Sequence, residues 1–182
     1  MADRVVVLGA SDLQLPLIEK AKSLGFETHV FAWAANDVGE KAADVFHPVS
    51  LTETEEIIRV CRELRPAAVA SIASDLAAVT AVKLAQTLGL PGNPPETAVL
   101  ASNKAAMRDA FQRAGLPTPW HRKIAEGEPL PAVSLLPFPL IVKPTDRSGS
   151  RGIFRLETPE GLTEAVAFAQ GESFERAAIL EE

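Results

Sequence analysis

The sequence predicts an α/β protein: a Rossmann-like parallel sheet with helices on both faces, followed by a smaller α+β section. Three observations predict it. Short apolar runs such as Val5-Val6-Val7-Leu8 and Ala67 to Ile72 suit strands buried on both faces. Between them lie longer segments whose apolar residues recur at helical spacing, each ended by glycine or proline. The composition then shifts, with half of the 14 prolines falling between Pro117 and Pro144. At 182 residues and 47% hydrophobic, the chain can bury a real core in one large or two small domains.

Residues 4–8 form the first predicted strand, and Gly9-Ala10-Ser11 a tight turn. Leu13, Leu17, Ala21 and Leu24 mark a helix that Gly25 stops, although Pro16 conflicts with a start as early as Ser11. Thr28 to Ala32 and Val45-Phe46-His47 read as the next strands. Thr52 with Glu55 reads as a capping box for a helix with Ile57, Cys61 and Leu64 on its apolar stripe and Pro66 at its end. The strand Ala67 to Ile72 leads to Ser74-Asp75, and Ala77, Ala81, Leu84 and Leu88 carry a helix to Gly89. This β-α-β-(β)-α-β-α order is that of a doubly wound domain, here residues 1–95.

The second section, 96–182, opens with one or two helices from Glu96 to Ala114. Short strands follow around Arg122-Lys123-Ile124 and at Leu140 to Val142, where Pro144 acts as a stop. Ile153 to Leu156 is a strand, and Thr158-Pro159-Glu160 a helix start with threonine as cap and proline at the first helical position. Leu162, Ala165, Val166 and Ala169 face the core of that helix, and Ala177 to Leu180 is the last strand.

Composition narrows the function. The net charge of -6 argues against general nucleic-acid binding, and a single cysteine excludes an intrachain disulfide. Cys61 sits on an apolar stripe as a small buried hydrophobe. The N-terminus lacks a signal-peptide layout and no apolar run reaches the ~20 residues of a membrane span, so a soluble cytoplasmic protein is expected. His29, His47 and His121 share no metal-ligand spacing, and no Walker loop or nucleophile elbow occurs.

The stretch richest in chemistry runs from Phe138 to Ile153. It reads as a strand with Lys143 near its end, then a small-residue loop, Ser148-Gly149-Ser150-Arg151-Gly152, whose backbone N–H groups can turn toward an anion. The same stretch also fits a hairpin turn whose cations face water. Gly9-Ala10-Ser11 and Ser74-Asp75 follow strands, where open α/β sheets bind ligands. Ser74 equally suits a helix cap. Gly9 lacks the further glycines of a dinucleotide fingerprint, and no acid ends the second strand, so a Rossmann-type oxidoreductase is the less favoured reading.

Taken in order, Asn103-Lys104 with Met107, the run Phe138 to Pro144, the loop Ser148 to Ile153 and Ile179-Leu180-Glu181-Glu182 resemble the first half of an ATP-grasp enzyme. Gly9-Ala10-Ser11 with Gln14, Ser74-Asp75 and Leu88 to Gly92 resemble the domain that precedes it. The likeness is greatest to the carbamoyl-phosphate-synthase-like and biotin-carboxylase-like ligases. It implies ATP-dependent joining of a carboxylate to an amine or ammonia through an acyl phosphate. Lys104 then matches a phosphate-contacting residue, and Lys143 the lysine that reaches the α-phosphate and the adenine side. Ser148 to Gly152 match the loop over the β- and γ-phosphates. Glu181 matches the acid near the adenine amino group, and Glu182 begins a linker. Gly9, Ala10, Ser11, Gln14, Ser74 and Asp75 are the substrate candidates. Catalytic residues and magnesium ligands are expected in a second half beyond Glu182, none in this chain, so the fragment is expected to be inactive alone. Arg147 is bulkier than the family pattern leads one to expect. The resemblance admits a homodimer. The alternative is a non-catalytic nucleotide-binding or interaction module.

Overall fold

The computed structural model describes residues 2–182. The chain forms two compact units, one ending at Ala98 and the other spanning Val99–Glu182.

The first unit contains β1 (Arg4–Leu8), α1 (Leu15–Ser23), β2 (Glu27–Phe31), α2 (Val38–Ala42), β3 (Val45–His47), α3 (Thr54–Leu64), β4 (Ala68–Ala70) and α4 (Asp75–Leu88). Its strands make a parallel sheet in the order β3-β2-β1-β4. Successive residues of a strand point to opposite faces, and β1 is apolar from Val5 to Leu8 because both faces are covered there. Val5 and Val7 join a cluster with Ile18 of α1 and Val30, whereas Val6 and Leu8 pack with Ile57, Ile58 and Cys61 of α3 and with Ala77 and Leu84 of α4. Cys61 is fully buried, and that burial pushes its thiol up to about 11.

One local expectation holds and a second is corrected. Pro16 is compatible with α1 because the helix starts at Leu15, placing the proline in the first turn where its missing N–H costs nothing. The predicted capping box at Thr52 and Glu55 does not form. α3 starts at Thr54, the Ser50 N–H donates to the Glu53 carboxylate at 3.0 Å, and Glu55 instead pairs with Lys83. The short helix α2, which no apolar stripe announces, is held by a reciprocal capping box of Asp37 and Glu40.

α5 (Pro95–Ser102) runs across the division between the units. The second unit continues with α6 (Lys104–Arg113), β5 (His121–Ala125), β6 (Leu140–Pro144), β7 (Phe154–Leu156), α7 (Leu162–Glu172) and β8 (Ala177–Glu181). Its antiparallel sheet has the order β5-β8-β6-β7. Pro144 does not stop β6. It pairs with Ala178 of β8 while β7 has already ended, so its missing N–H leaves no ladder bond unmade. Nor does Thr158 cap α7, which starts at Leu162 after Gly161, a residue with φ of 76°. The Leu162 N–H donates to the Pro159 carbonyl at 3.2 Å, so Pro159 lies in the turn before the helix.

The register separates the two faces of this sheet. Ile124, Leu140, Val142, Ala178 and Leu180 pack with Leu162, Ala165, Val166 and Ala169 of α7. The alternate residues His121, Lys123, Ile141, Lys143, Ile179 and Glu181 therefore share the opposite face. α6 packs along β5. Among the described residues, no helix is long and apolar enough to cross a membrane.

Candidate functional site

The polar face of the second sheet gathers its charges around Glu181, the last residue of β8. Glu181 is only 4% exposed, yet it is ionised with a cation at each oxygen. Arg108 of α6 donates from Nε to Oε1 at 2.9 Å, and Lys143 of β6 donates from Nζ to Oε2. Burial alone would push this carboxyl up. The hydrogen bonds and charges of Arg108 and Lys143 outweigh it and hold the group below its ordinary range. Pairing of both His121 and Ile141 opposite Glu181 fixes the strand geometry. The Glu182 N–H continues it by donating to the Trp120 carbonyl at 3.0 Å.

Lys104 opens α6, one helical turn before Arg108 and on the same side of the helix. Asn103 caps the helix, its Oδ1 accepting from the Ala106 N–H at 3.0 Å, and its amide donates to Glu175 at 2.7 Å. The Lys104 N–H donates to the Thr145 carbonyl and its Nζ to the Arg147 carbonyl, both at 2.7 Å. The first turn of α6 is thus tied to the root of the glycine-rich loop.

That root is strapped from a second side. The Asp146 carboxylate accepts from the Ser173 hydroxyl at 2.8 Å and from the N–H groups of Phe174 and Glu175 at 3.0 and 2.8 Å. Thr145 is fully buried, with its hydroxyl 3.3 Å from the Ala177 carbonyl. The bulk of Arg147 has a place: its guanidinium lies 4.6 Å from the centre of the Phe174 ring. Its Nε is buried without a hydrogen-bond partner and stands 3.8 Å from the Glu172 carboxylate.

Beyond the root the loop is untied. Gly149, Ser150 and Gly152 all have positive φ, at 74°, 56° and 66°. Among the described residues, none accepts a hydrogen bond from the N–H groups of Ser148 to Gly152, and Ser148 to Arg151 are exposed. Gly152 closes the loop against the root. A Cβ there would stand 3.1 Å from Cγ of Pro144 and 3.3 Å from Cγ of Glu172.

The substrate candidates of the first unit lie at the carboxyl edge of its sheet. Gly9 has φ of 100°, and a Cβ there would meet the Gln14 side chain at 2.9 Å, so glycine is required. Gln14 is buried and both ends of its amide are engaged within the chain. Oε1 accepts from the N–H and hydroxyl of Ser11 at 3.2 and 2.7 Å, and Nε2 donates to the Ile72 carbonyl at 2.7 Å. It braces the loop after β1 against the loop after β4. The Ala10 carbonyl accepts from the Gly39 N–H at 2.8 Å. Ser74 is the cap of α4, accepting from the Ala77 N–H at 3.2 Å, and Asp75 stands exposed in the first turn.

His29 and His47, distant in sequence, meet across β2 and β3 with Nδ1 and Nε2 3.0 Å apart. That is a direct hydrogen bond with no room for an ion. The other nitrogen of His29 lies 3.4 Å from the Glu27 carboxylate but too poorly aligned for a hydrogen bond. Burial lowers the affinity of both rings for a second proton. Among the described residues, no group of three or more His, Cys, Asp or Glu could hold a metal ion.

Sequence reasoning missed Arg108 and Asp146. Arg108 is a charged residue on a helix that reads as solvated. Its spacing of four from Lys104 was the available signal, since that spacing puts both on one side of α6.

No protein-family model matches the chain. Among curated proteins it is similar to the D-alanine–D-alanine ligase of Hydrogenovibrio crunogenus, 36% identical over 87 residues, which is 46% of this chain and 28% of the ligase. It is also similar to the formate-dependent phosphoribosylglycinamide formyltransferase of Rhodococcus jostii, 26% identical over 92% of this chain and 42% of that protein. Among solved structures, the L-amino acid ligase from Bacillus licheniformis superposes with a TM-score of 0.74 at 25% identity, covering 98% of this chain and 43% of the ligase. The biotin carboxylase domain of the 2-oxoglutarate carboxylase from Hydrogenobacter thermophilus, a domain dimer solved with MgADP, ADP and bicarbonate, gives 0.76 at 20% identity, over 100% of this chain and 44% of that one. The chain thus spans less than half the length of each of these relatives. The matches bear out the resemblance to the ATP-grasp superfamily, with a fold that such ligases share over less than half of their length.

Proposed function

We propose that the chain is the nucleotide-holding portion of an ATP-dependent ligase that joins a carboxylate to an amine or ammonia through an acyl phosphate. The observation that carries the reading is the cluster of Lys143, Glu181 and Arg108, on the sheet face opposite α7, in a unit where Lys104 roots an untied glycine-rich loop. In this reading Lys143 turns from Glu181 to the α-phosphate, and Lys104 contacts a phosphate from the start of α6. The N–H groups of Ser148, Gly149, Ser150, Arg151 and Gly152 close over the β- and γ-phosphates. Glu181 accepts from the adenine amino group, with Glu182 continuing the strand beside it.

The chemistry suits those parts. Phosphoryl transfer depends on positioning and charge neutralisation more than on covalent help, and lysines with a loop of N–H donors supply both. A loop that closes from a fixed root also excludes water from a reactive phosphate. The carboxylate and amine are assigned to the carboxyl edge of the first unit's sheet, at Gly9, Ala10, Ser11, Ser74 and Asp75, with Gln14 as the brace that shapes it. Magnesium is implied by the superfamily, but among the described residues the acidic side chains do not gather into a site that fits it.

Calorimetry tests the reading directly. MgADP is titrated into the 182-residue chain and into its Lys143→Ala variant. The expected result is saturable binding that weakens at least about tenfold in the variant, the scale of one lost charge-assisted hydrogen bond. Unchanged affinity removes Lys143 from the site. The same chain is expected to bind nucleotide without robust ADP release, and a turnover assay checks that part.

A further inference from the structure

We infer that Arg108 is a positioning residue that keeps Glu181 ionised and aimed independently of Lys143. Lys143 can then move to an anionic ligand while Glu181 stays in place for a hydrogen-bond donor of the same ligand. The inference rests on the nucleotide reading above and gives a role to a residue outside the motifs behind it.

The Glu181 carboxylate is divided between two cations. Arg108 takes Oε1 at 2.9 Å and Lys143 takes Oε2, so neither cation competes for the other's oxygen. The Glu181 side chain is 5% exposed, against 23% for Arg108 and 17% for Lys143. A carboxylate so buried stays charged only while a cation remains with it. If Lys143 were the sole partner, its departure toward a phosphate would strip the charge from Glu181 or pull the side chain after it. Arg108 removes that conflict.

The mounting of Arg108 fits the role. Its backbone belongs to α6, whose cap at Asn103 and whose Lys104 contacts fix the helix at its start. The next residue, Asp109, fixes α6 again by meeting His121 Nε2 at 2.9 Å, while His121 Nδ1 lies 3.2 Å from the Pro119 carbonyl. The charged and titratable groups facing Glu181 are therefore Arg108 from α6, Lys143 from β6 and His121 from β5, and His121 is engaged with Asp109.

Carbon-13 NMR of the Glu181 carboxyl, followed against pH in the 182-residue chain, tests the inference without any nucleotide. Arg108→Met is expected to raise the Glu181 midpoint by about one pH unit or more, the scale for losing an adjacent opposite charge. Lys143→Met should raise it less, and Arg108→Lys should restore most of the loss. An unmoved midpoint in Arg108→Met, or a larger shift in Lys143→Met, overturns the inference. Should Arg108→Met fail to fold, Arg108→Gln, which keeps a donor without the charge, is judged by the same criterion. A second arm compares MgADP with MgIDP, whose base carries a carbonyl in place of the amino group. Arg108→Met should erode the preference for ADP about tenfold. Weaker binding of both with the preference intact marks a merely structural role and overturns the inference. If the unaltered chain binds neither nucleotide, the nucleotide reading falls, and the NMR arm still decides Arg108.

Discussion

Asp146 should govern the root of the glycine-rich loop, and two substitutions separate its contacts. Its Oδ1 accepts from the Ser173 hydroxyl and the Phe174 N–H, while Oδ2 accepts from the Glu175 N–H. Asp146→Ala removes all three. Hydrogen bonds to a charged acceptor contribute about 1.5–3 kcal/mol each when protected, and about 1 kcal/mol or less where water can take over. Phe174 and Glu175 are exposed and Ser173 is buried, so the alanine variant should cost about 2–3 kcal/mol. Asp146→Asn keeps the Oδ1 acceptor and turns an NH2 toward the Glu175 N–H, for a loss of about 1 kcal/mol. The assay is amide hydrogen exchange. In the alanine variant the Phe174 and Glu175 amides should exchange about 30- to 150-fold faster, and in the asparagine variant about fivefold faster at Glu175 alone. Unchanged protection in the alanine variant, or equal losses in the two variants, would refute the reasoning.

Two further predictions concern stability. Asp44 is held down at about 2, first by its hydrogen bond with Lys22 and then by the Thr28 N–H. Because its folded value is lowered, its stabilisation is complete above the ordinary value near 4 and disappears as pH falls toward 2. Unfolding measured between pH 5 and 2 should therefore show a shallower acid dependence in Asp44→Ala than in the unaltered chain. Identical slopes would remove Asp44 from the acid response. The glycines of the second unit should respond to alanine with opposite signs. Gly152→Ala meets both a φ of 66° and the 3.1 Å approach of Pro144, and should cost about 1–3 kcal/mol. Gly171→Ala, in α7 with open space around it, should gain up to about 1 kcal/mol. Denaturant midpoints read both, and a loss at Gly171 equal to that at Gly152 would count against the backbone argument.

Much of this architecture is legible in the sequence because burial writes itself as pattern. The run Val5 to Leu8 announces a strand covered on both faces, and the clusters on either side of β1 are that covering. The helix boundaries were harder to read. Ser50 and Glu53 lie at the same spacing as Thr52 and Glu55, and nothing local decides which pair anchors the turn before α3. The strand-end lysine and the acid of β8 were legible as motif residues, but their contact was not, because only the β6–β8 register brings them together. Asp146 was hidden for the same reason, since its partners lie more than two dozen residues away across the turn after α7.

α6 also sets a length. It carries the root of the loop at Lys104 and the keeper of Glu181 at Arg108, four residues and about 6 Å apart along its axis. A helix transmits spacing without slack, and adding one residue turns everything beyond it by about 100°. A single insertion between Asn103 and Arg108 would therefore swing Arg108 off the sheet while leaving the cap intact. The segment between β5 and β6 is anchored in the core at Leu136, with Leu130 and Phe138 packed beside it, but it supplies no residue to the Glu181 cluster. Natural or engineered variation in chain length should accumulate in that segment and be absent from the first turn and a half of α6.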